Sequence, residues 1–341
     1  MSISKNRRTA LRTVAAACLG LSGLFISASA VNAAPTVALR MSSSLQGDMN
    51  SSHYVWFDRF QSNLKAAVGD SVKITYFPNN MLGKESDVVQ QVRLGAVDMM
   101  VSGTSIWSTL SPEVGVLDLG YLFTNNDHAG RALDGNAGKI LTDILLKKAN
   151  VLTLGYGFSL GARNVYTKHL LKSAEDLKGV KVRVLPVPNF VATLKAMGAA
   201  AVPMPFGEIY SGLQMGVIDG VEQDAPTVLA GKFYEVAKFA TLTQHIYNPI
   251  VVTINKASFD RIPAELKPAI LKAAEEATKY QRLQAAEAET RAFDELKKLG
   301  VQVSTTDRDY FAKLVKPVWG EFAKQYPAVQ PILDAVESVR K

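Results

Sequence analysis

Residues 177–224 read LKGVKVRVLPVPNFVATLKAMGAAAVPMPFGEIYSGLQMGVIDGVEQD, and the alternation within this stretch decides the fold. Lys181-Val182-Arg183-Val184-Leu185 has the period-two pattern of a short strand, with Val182 and Val184 on one face and Arg183 on the other. Pro186 and Pro188 end that strand, and a helix over residues 189–197 follows. Residues 200–204 form a second strand, and Pro205 opens a second helix over 206–215. Gly216 and Gly220 close the unit. The order is β-α-β-α, and Arg183 stands where strand gives way to loop. That is where open α/β sheets meet small ligands.

The same alternation extends towards the N-terminus. Residues 37–41, 72–77, 98–101 and 151–156 are expected strands. Between them, Tyr54, Phe57, Leu64 and Val68 fall at helical spacing, with Ser51 or Ser52 as N-cap. Further helices are expected over 86–94 and 127–150. Ser102-Gly103-Thr104-Ser105 follows a strand directly, again at a carboxyl end. Beyond the central block, residues 241–245 and 250–254 read as return strands. Residues 268–298 are rich in Ala, Glu, Lys, Leu and Gln, without glycine or interior proline. At 1.5 Å per residue a helix of that length reaches roughly 46 Å, longer than a small domain is wide. It should therefore run along two lobes.

The chain opens as an export segment. Lys5, Arg7, Arg8 and Arg12 precede a mostly apolar run over 14–28, and Val31-Asn32-Ala33 supplies a small-residue cleavage site. The processed chain is expected to begin near Ala34 and to reside in the periplasm. The formal charge of +7 falls to +3 once residues 1–33 are set aside, since they hold four positive residues and no acidic ones. That balance gives no argument for nucleic acid or a membrane surface as partner. The only cysteine, Cys18, leaves with the segment. No disulfide, thiol nucleophile or zinc thiolate site is then available. The four histidines lack paired spacing for zinc, so neither metal nor cofactor is expected.

Several motifs recur in one order. Tyr76-Phe77-Pro78-Asn79-Asn80-Met81-Leu82-Gly83 and Val92-Arg93-Leu94-Gly95-Ala96-Val97-Asp98-Met99 precede Gly161-Ala162-Arg163-Asn164. The block around Arg183 comes next, then Phe233-Tyr234-Glu235-Val236-Ala237-Lys238 and His245. Together they resemble the solute-binding proteins of tripartite ATP-independent periplasmic (TRAP) transporters, over residues 38–290. The resemblance implies a two-lobed α/β periplasmic binding protein with a ligand cleft between the lobes and a long helix spanning both. Lobe I would comprise residues 34–160 with about 249–287, and lobe II 161–248 with about 288–341. A monomer is expected, capturing an organic acid anion by hinge closure and delivering it to the membrane permease subunits.

The family places an arginine at position 183 as the clamp on the solute's carboxylate. A guanidinium is always charged, and its planar fork matches a carboxylate with two parallel hydrogen bonds. Arg163 occupies the position of a second contact, with a structural ion pair as the alternative. Phe206 falls where the family puts a wall against the solute, though the start of a helix also suits a core residue. Gln223 stands where asparagine is common, and its longer amide changes the reach. Glu222 reads as structural. From the first lobe, His53, Thr104, Trp107 and Tyr121 lie at or near strand ends as candidate selectivity residues. The family has proline and phenylalanine where this chain has Gly120-Tyr121.

Two other functions need weighing. Gly157-Phe158-Ser159-Leu160-Gly161 satisfies the G-x-S-x-G pattern of a serine hydrolase, with Asp219 and His245 following in order. That chemistry needs a sharp turn into a helix, whereas residues 162–167 read as extended, so no enzyme is expected. A ligand-sensing subunit serving a signalling partner would share the whole binding apparatus.

Overall fold

The computed structural model describes residues 37–340, the side chain at position 286 excepted, so the expected export segment lies outside the described residues. Two mixed sheets carry the architecture. The first has five strands in the order β2-β1-β3-β10-β4. These are β1 (Val37–Ser42), β2 (Val72–Phe77), β3 (Met99–Gly103), β4 (Val151–Phe158) and β10 (Pro249–Asn255). β1 pairs in parallel with β2 and β3, while β10 runs antiparallel between β3 and β4. The second sheet contains β5 (Arg163–Thr167), β6 (Lys181–Val184), β7 (Ala200–Pro203), β8 (Gly220–Gln223), β9 (Phe239–Ile246) and β11 (Gln302–Thr305). Its order is β11-β9-β5-β8-β6-β7.

The chain passes between the sheets at residues 159–162 and 247–248. These crossings lie side by side: the Ser159 amide (3.1 Å) and hydroxyl (2.8 Å) both donate to the Asn248 carbonyl. The helix Lys267–Lys298 forms a third link, 32 residues long, or about 48 Å at 1.5 Å per residue. It packs against helix Ser52–Val68 and β4 at one end and against helix Ala225–Ala230 at the other. Glu289 on this helix accepts the Ala162 amide at 3.1 Å. Gly161 between them has φ 134°, and a Cβ there would meet the Glu289 side chain at 2.6 Å. Only glycine serves at that crossing.

Helix Ser52–Val68 starts at Ser51, whose hydroxyl accepts the Tyr54 amide. Its buried face centres on Trp56, Phe60 and Leu64, each worth about 1.5–3 kcal/mol when removed from water. Tyr54 and Val68 are only half-buried. The helix expected over 127–150 is two helices, Asn126–Asp134 and Asn136–Ala149. They approach so closely that a Cβ on Gly138 would lie 1.8 Å from the Leu133 carbonyl oxygen. Helix Arg308–Gln325 packs on helix Pro188–Ala196 and β9, whereas helix Gln330–Ser338 lies against Asn126–Asp134 and Asn136–Ala149. The two C-terminal helices therefore pack on different parts of the chain. Among the described residues no helix is long and apolar enough to cross a membrane.

Candidate functional site

Arg183 sits on β6, whose two neighbours β7 and β8 run parallel to it. Flanking Val182 and Val184 are fully buried, and so is Arg183 itself. The alternating pattern does not mark an exposed face here, because this strand is covered on both sides. Arg183 Nε donates to the Met204 carbonyl at 2.9 Å. Its Nη1 and Nη2 are buried and meet no acceptor among the described residues. Burial pushes the pKa down to about 10, with Glu222 and Glu85 opposing the shift and Arg163 adding to it. The group is still a cation at neutral pH. Native proteins rarely leave buried donors unpaired, and a buried charge without a partner costs several kcal/mol.

Arg163 opens β5 and is differently engaged. Its Nε and Nη2 grip the two carboxylate oxygens of Glu222, and Nη2 also reaches the Glu222 carbonyl at 2.8 Å. Its guanidinium carbon lies 5.0 Å from the centre of the Phe190 ring. Burial alone disfavours both charges of this pair. Glu222 nevertheless keeps Arg163 above its ordinary range, and Arg163 with His245 holds the Glu222 carboxyl below its own. His245 Nε2 is 3.4 Å from Glu222, and its Nδ1 meets the Thr243 hydroxyl at 2.8 Å. Burial lowers the His245 pKa in spite of the neighbouring carboxylate. Arg163 thus combines both readings: it forms a structural ion pair and also lines the cavity.

That cavity has a volume of about 40 Å³. Arg163, Arg183, Phe206 and Gln223 line it from the second sheet's side, with Asp224 and Thr227 from the start of helix Ala225–Ala230. Asp224 caps that helix by accepting the Thr227 amide at 3.0 Å. Burial pushes its pKa up, against the pull of Arg163. The opposite wall comes from Ser44 after β1, Ser52 and His53 in the first turn of Ser52–Val68, and Glu85 at the start of helix Glu85–Leu94. His53 Nδ1 meets the Ser43 hydroxyl at 2.8 Å, and burial lowers its pKa to about 3, so it is neutral. Burial raises the Glu85 pKa, while Ser44, Arg183 and Arg163 restrain the rise.

Behind this wall lies a buried polar relay. Asp118 accepts from the Ser105 hydroxyl at 2.7 Å and from Asn248 Nδ2 at 3.3 Å. Asn248 itself lines the cavity. Burial raises the Asp118 pKa to about 8, which Ser105 and Arg163 oppose and Glu222 reinforces. The molecule therefore holds two buried carboxyls driven in opposite directions: Glu222 is held below its ordinary range beside Arg163, and burial pushes Asp118 up to about 8.

Five expected site residues converge on the cavity: Arg183, Arg163, Phe206, Gln223 and His53. Three do not line it. Thr104 turns its hydroxyl to the Pro249 carbonyl (3.3 Å), leaving its neighbour Gly103 in the wall. Trp107 is fully buried, with its indole N–H on the Ser102 hydroxyl at 3.0 Å. Tyr121, at φ 60°, bonds through its amide to the His245 carbonyl and through its hydroxyl to the Thr243 carbonyl. In each case the side chain's polar atom satisfies a nearby backbone or hydroxyl group, which carries it away from the cleft. Glu85, Asp224 and Asn248 are additions. Glu85 lies two residues beyond the Asn79-to-Gly83 motif, and Asp224 directly follows Gln223.

The hydrolase arrangement is absent. After Ser159 the chain enters β5 without an intervening helix, and the Ser159 hydroxyl donates to the Asn248 carbonyl. A larger depression, about 580 Å³, is an open surface groove beside β4 and helix Asn136–Ala149. Two ion pairs lie in it at the water boundary, Arg282 with Asp134 at 2.7 Å and Lys279 with Glu275 at 2.5 Å.

Comparison with known proteins bears on this geometry. Residues 46–325 match the model of a family described as bacterial extracellular solute-binding protein, family 7. The 2,3-diketo-L-gulonate-binding periplasmic protein YiaO of Escherichia coli is 36% identical over 292 residues, covering 85% of this chain and 88% of that protein. A TRAP periplasmic solute binding protein from Chromohalobacter salexigens, solved with bound D-glucuronate, gives a TM-score of 0.84 at 27% identity. The match covers 89% of this chain and 100% of that one. The sugar acid binding protein of Advenella mimigardefordensis, in complex with galactonate, also gives 0.84. It is 28% identical and the match covers 90% of this chain and 99% of that one.

Proposed function

We propose that this chain, which belongs to family 7 of the bacterial extracellular solute-binding proteins, captures a sugar acid in the periplasm and passes it to a TRAP membrane permease. It is a receptor and not an enzyme. The observation that carries the ligand reading is Arg183, with two buried terminal nitrogens that no protein acceptor meets. A carboxylate supplies two oxygens in the matching fork geometry. Glu222 already occupies Arg163 through Nε and Nη2, which leaves Nη1 as its remaining edge for a supporting contact.

The rest of the cavity favours hydroxyls over a second acid. Glu85 and Asp224 would repel a further carboxylate, whereas both accept from hydroxyl groups. Neutral His53, Ser44, Gln223 and Asn248 add donors and acceptors around the same space. The relatives' ligands, 2,3-diketo-L-gulonate, D-glucuronate and galactonate, fit that pattern.

A cavity of about 40 Å³ holds one or two waters at ~30 Å³ each. A six-carbon acid therefore enters only when the two sheets part, and the crossings at 159–162 and 247–248 are the natural hinge. Closure then removes water from the ion pair and strengthens it.

Calorimetry over a panel of glucuronate, galacturonate, galactonate, 2,3-diketogulonate, succinate and malate tests the reading. A sugar acid should bind, and at 100 times its Kd should raise stability by about 2.7 kcal/mol. Small-angle scattering should contract on binding. Tight binding of succinate or malate, with no response to any sugar acid, would overturn it.

A further inference from the structure

Immediately outside the acid-binding cavity lies a second hollow that shares Ser44 and Phe206 with it. Its volume is about 290 Å³, about ten waters at ~30 Å³ each and ample for one sugar ring. Its two walls differ in chemistry. One is aromatic: Phe206 and Phe233 meet edge to face with centroids 5.8 Å apart, and Tyr210 stands beside them. Phe233 lies so close over Gly231 that a Cβ there would come within 2.6 Å of its ring. Tyr210 directs its hydroxyl to Glu235, which leaves the ring as its contribution.

The facing wall is made of amides, from Gln46, Asn79 and Asn80. Asn79 and Asn80 hold left-handed backbone, φ 54° and 57°, a conformation asparagine tolerates better than most residues. Their main-chain amides are tied to the carbonyls of Leu45 and Ser43. The loop is thereby fixed, and no side-chain hydrogen bond within the described residues engages these three amides. No charged side chain lines this hollow, in contrast to the two arginines and two carboxyls of the inner cavity.

Rings opposite amides suit a pyranose, which has apolar C–H faces and a rim of hydroxyl donors and acceptors. We infer that the hollow is an outer subsite for a neutral sugar residue, so that the protein accepts glycosylated sugar acids. The acid unit occupies the inner cavity and the glycosyl unit lies between Phe206, Phe233 and Asn80. This rests on the sugar-acid reading above and adds the requirement for a second, uncharged ring.

The test uses two pairs of probes in calorimetry with the full processed chain. Gluconate is compared with lactobionate, its galactosyl derivative, and glucuronate with glucuronosyl-xylose. At least one disaccharide acid should bind as tightly as its parent acid or more so. Gly207 is not in left-handed backbone, and a Cβ there meets only Asn80 Nδ2 at 3.7 Å. Gly207→Leu should therefore fill the hollow without disturbing the fold. It should weaken the disaccharide by about tenfold or more and leave the parent acid within about threefold. Asn80→Gly keeps the backbone conformation, removes the amide, and should weaken the disaccharide alone by a few-fold.

Binding of a parent acid with neither disaccharide bound overturns the outer subsite and spares the sugar-acid reading. The subsite also fails if a disaccharide binds with an affinity that neither variant alters. Failure of all four probes to bind overturns the outer subsite, and the sugar-acid reading falls with it only if galacturonate, galactonate and 2,3-diketogulonate also fail to bind.

Discussion

The two walls of the cavity are built on opposite plans. On the second sheet, β5 and β6 carry two arginines whose guanidinium groups are pinned before any solute arrives. Arg163 is held by Glu222, and Arg183 by the Met204 carbonyl. On the first sheet's side there is no cation. The wall is assembled from the loop after β1 and the first turns of two helices, presenting Ser44, His53 and Glu85. On the proposed function, charge held on a sheet would recognise what every organic acid shares. Neutral and acidic groups on loop ends and helix starts discriminate among the remainders, and such positions vary without disturbing the hydrogen-bonded strands.

The strongest way to break this comparison is Arg183→Ala. Removing the partner of a desolvated carboxylate should cost about 3–5 kcal/mol of binding, two to three and a half orders of magnitude in Kd. Arg183→Lys should restore little, because an ammonium lacks the planar fork. The free protein should not lose stability in Arg183→Met, since the change deletes a buried charge whose two terminal nitrogens meet no acceptor among the described residues. Calorimetry and thermal denaturation read the two effects separately. Sugar-acid affinity within threefold of wild type in Arg183→Ala would place the site elsewhere.

The contrast between the two buried carboxyls is sharpened by pH. Asp118 has a folded pKa of about 8 against an unfolded value of about 3.9. Its neutral form is thus favoured by folding. The stability it contributes is fully present below pH 4 and is lost as pH rises through 8, by a few kcal/mol. Asp118→Asn should flatten that limb of the stability profile and be most stabilising at pH 8 and above. Glu222 behaves oppositely, being held ionised by Arg163. The Glu222 contribution is lost only as pH falls below about 4.3, so denaturant melts from pH 2 to 9 measure both, and an unchanged slope in Asp118→Asn would show that Asp118 is ionised in the fold.

On the discriminating wall, Glu85→Gln should weaken sugar acids by about tenfold, the scale of one hydrogen bond to a charged group. It should also improve succinate or malate, because a repelling carboxylate is gone. Calorimetry with both ligand classes decides this; equal losses for both would mean that Glu85 only shapes the wall. The smallest effect is expected at the cleft mouth, where Lys84 and Glu208 pair at 2.9 Å with both side chains more than half exposed. Lys84→Gln should change Kd by less than about threefold, and high salt should erase the difference.

The strand and helix alternation, the two-lobed α/β class and the placing of Arg183 were all legible along the chain. The alternation and the placing of Arg183 depend on patterns within about ten residues: alternation in Lys181-Val182-Arg183-Val184, proline at 186 and 188, glycine at 216 and 220. The two-lobed class rests on the long run over 268–298 and on the family resemblance. The break between Asp134 and Asn136 was not legible. It depends on the close approach of Gly138 to Leu133, which composition does not reveal. Thr104, Trp107 and Tyr121 stand off the cavity for a related reason. Standing near a strand end says nothing about which acceptor a side chain will find, and theirs lay at Pro249, Ser102 and Thr243.

By itself the sequence determined which residue types were present and in what local order, including an arginine near the end of a parallel strand. Only the tertiary structure decided which charges are satisfied. Arg163 meets Glu222 from 59 positions away, and Asp118 meets Asn248 from 130. The same long-range folding brings Glu85 to the cavity of Arg183 while leaving both terminal nitrogens of Arg183 without an acceptor among the described residues. The physical reason is that local pattern depends on backbone geometry, which each residue carries with it. Pairing, burial and protonation depend on what the rest of the chain places within about 3 Å.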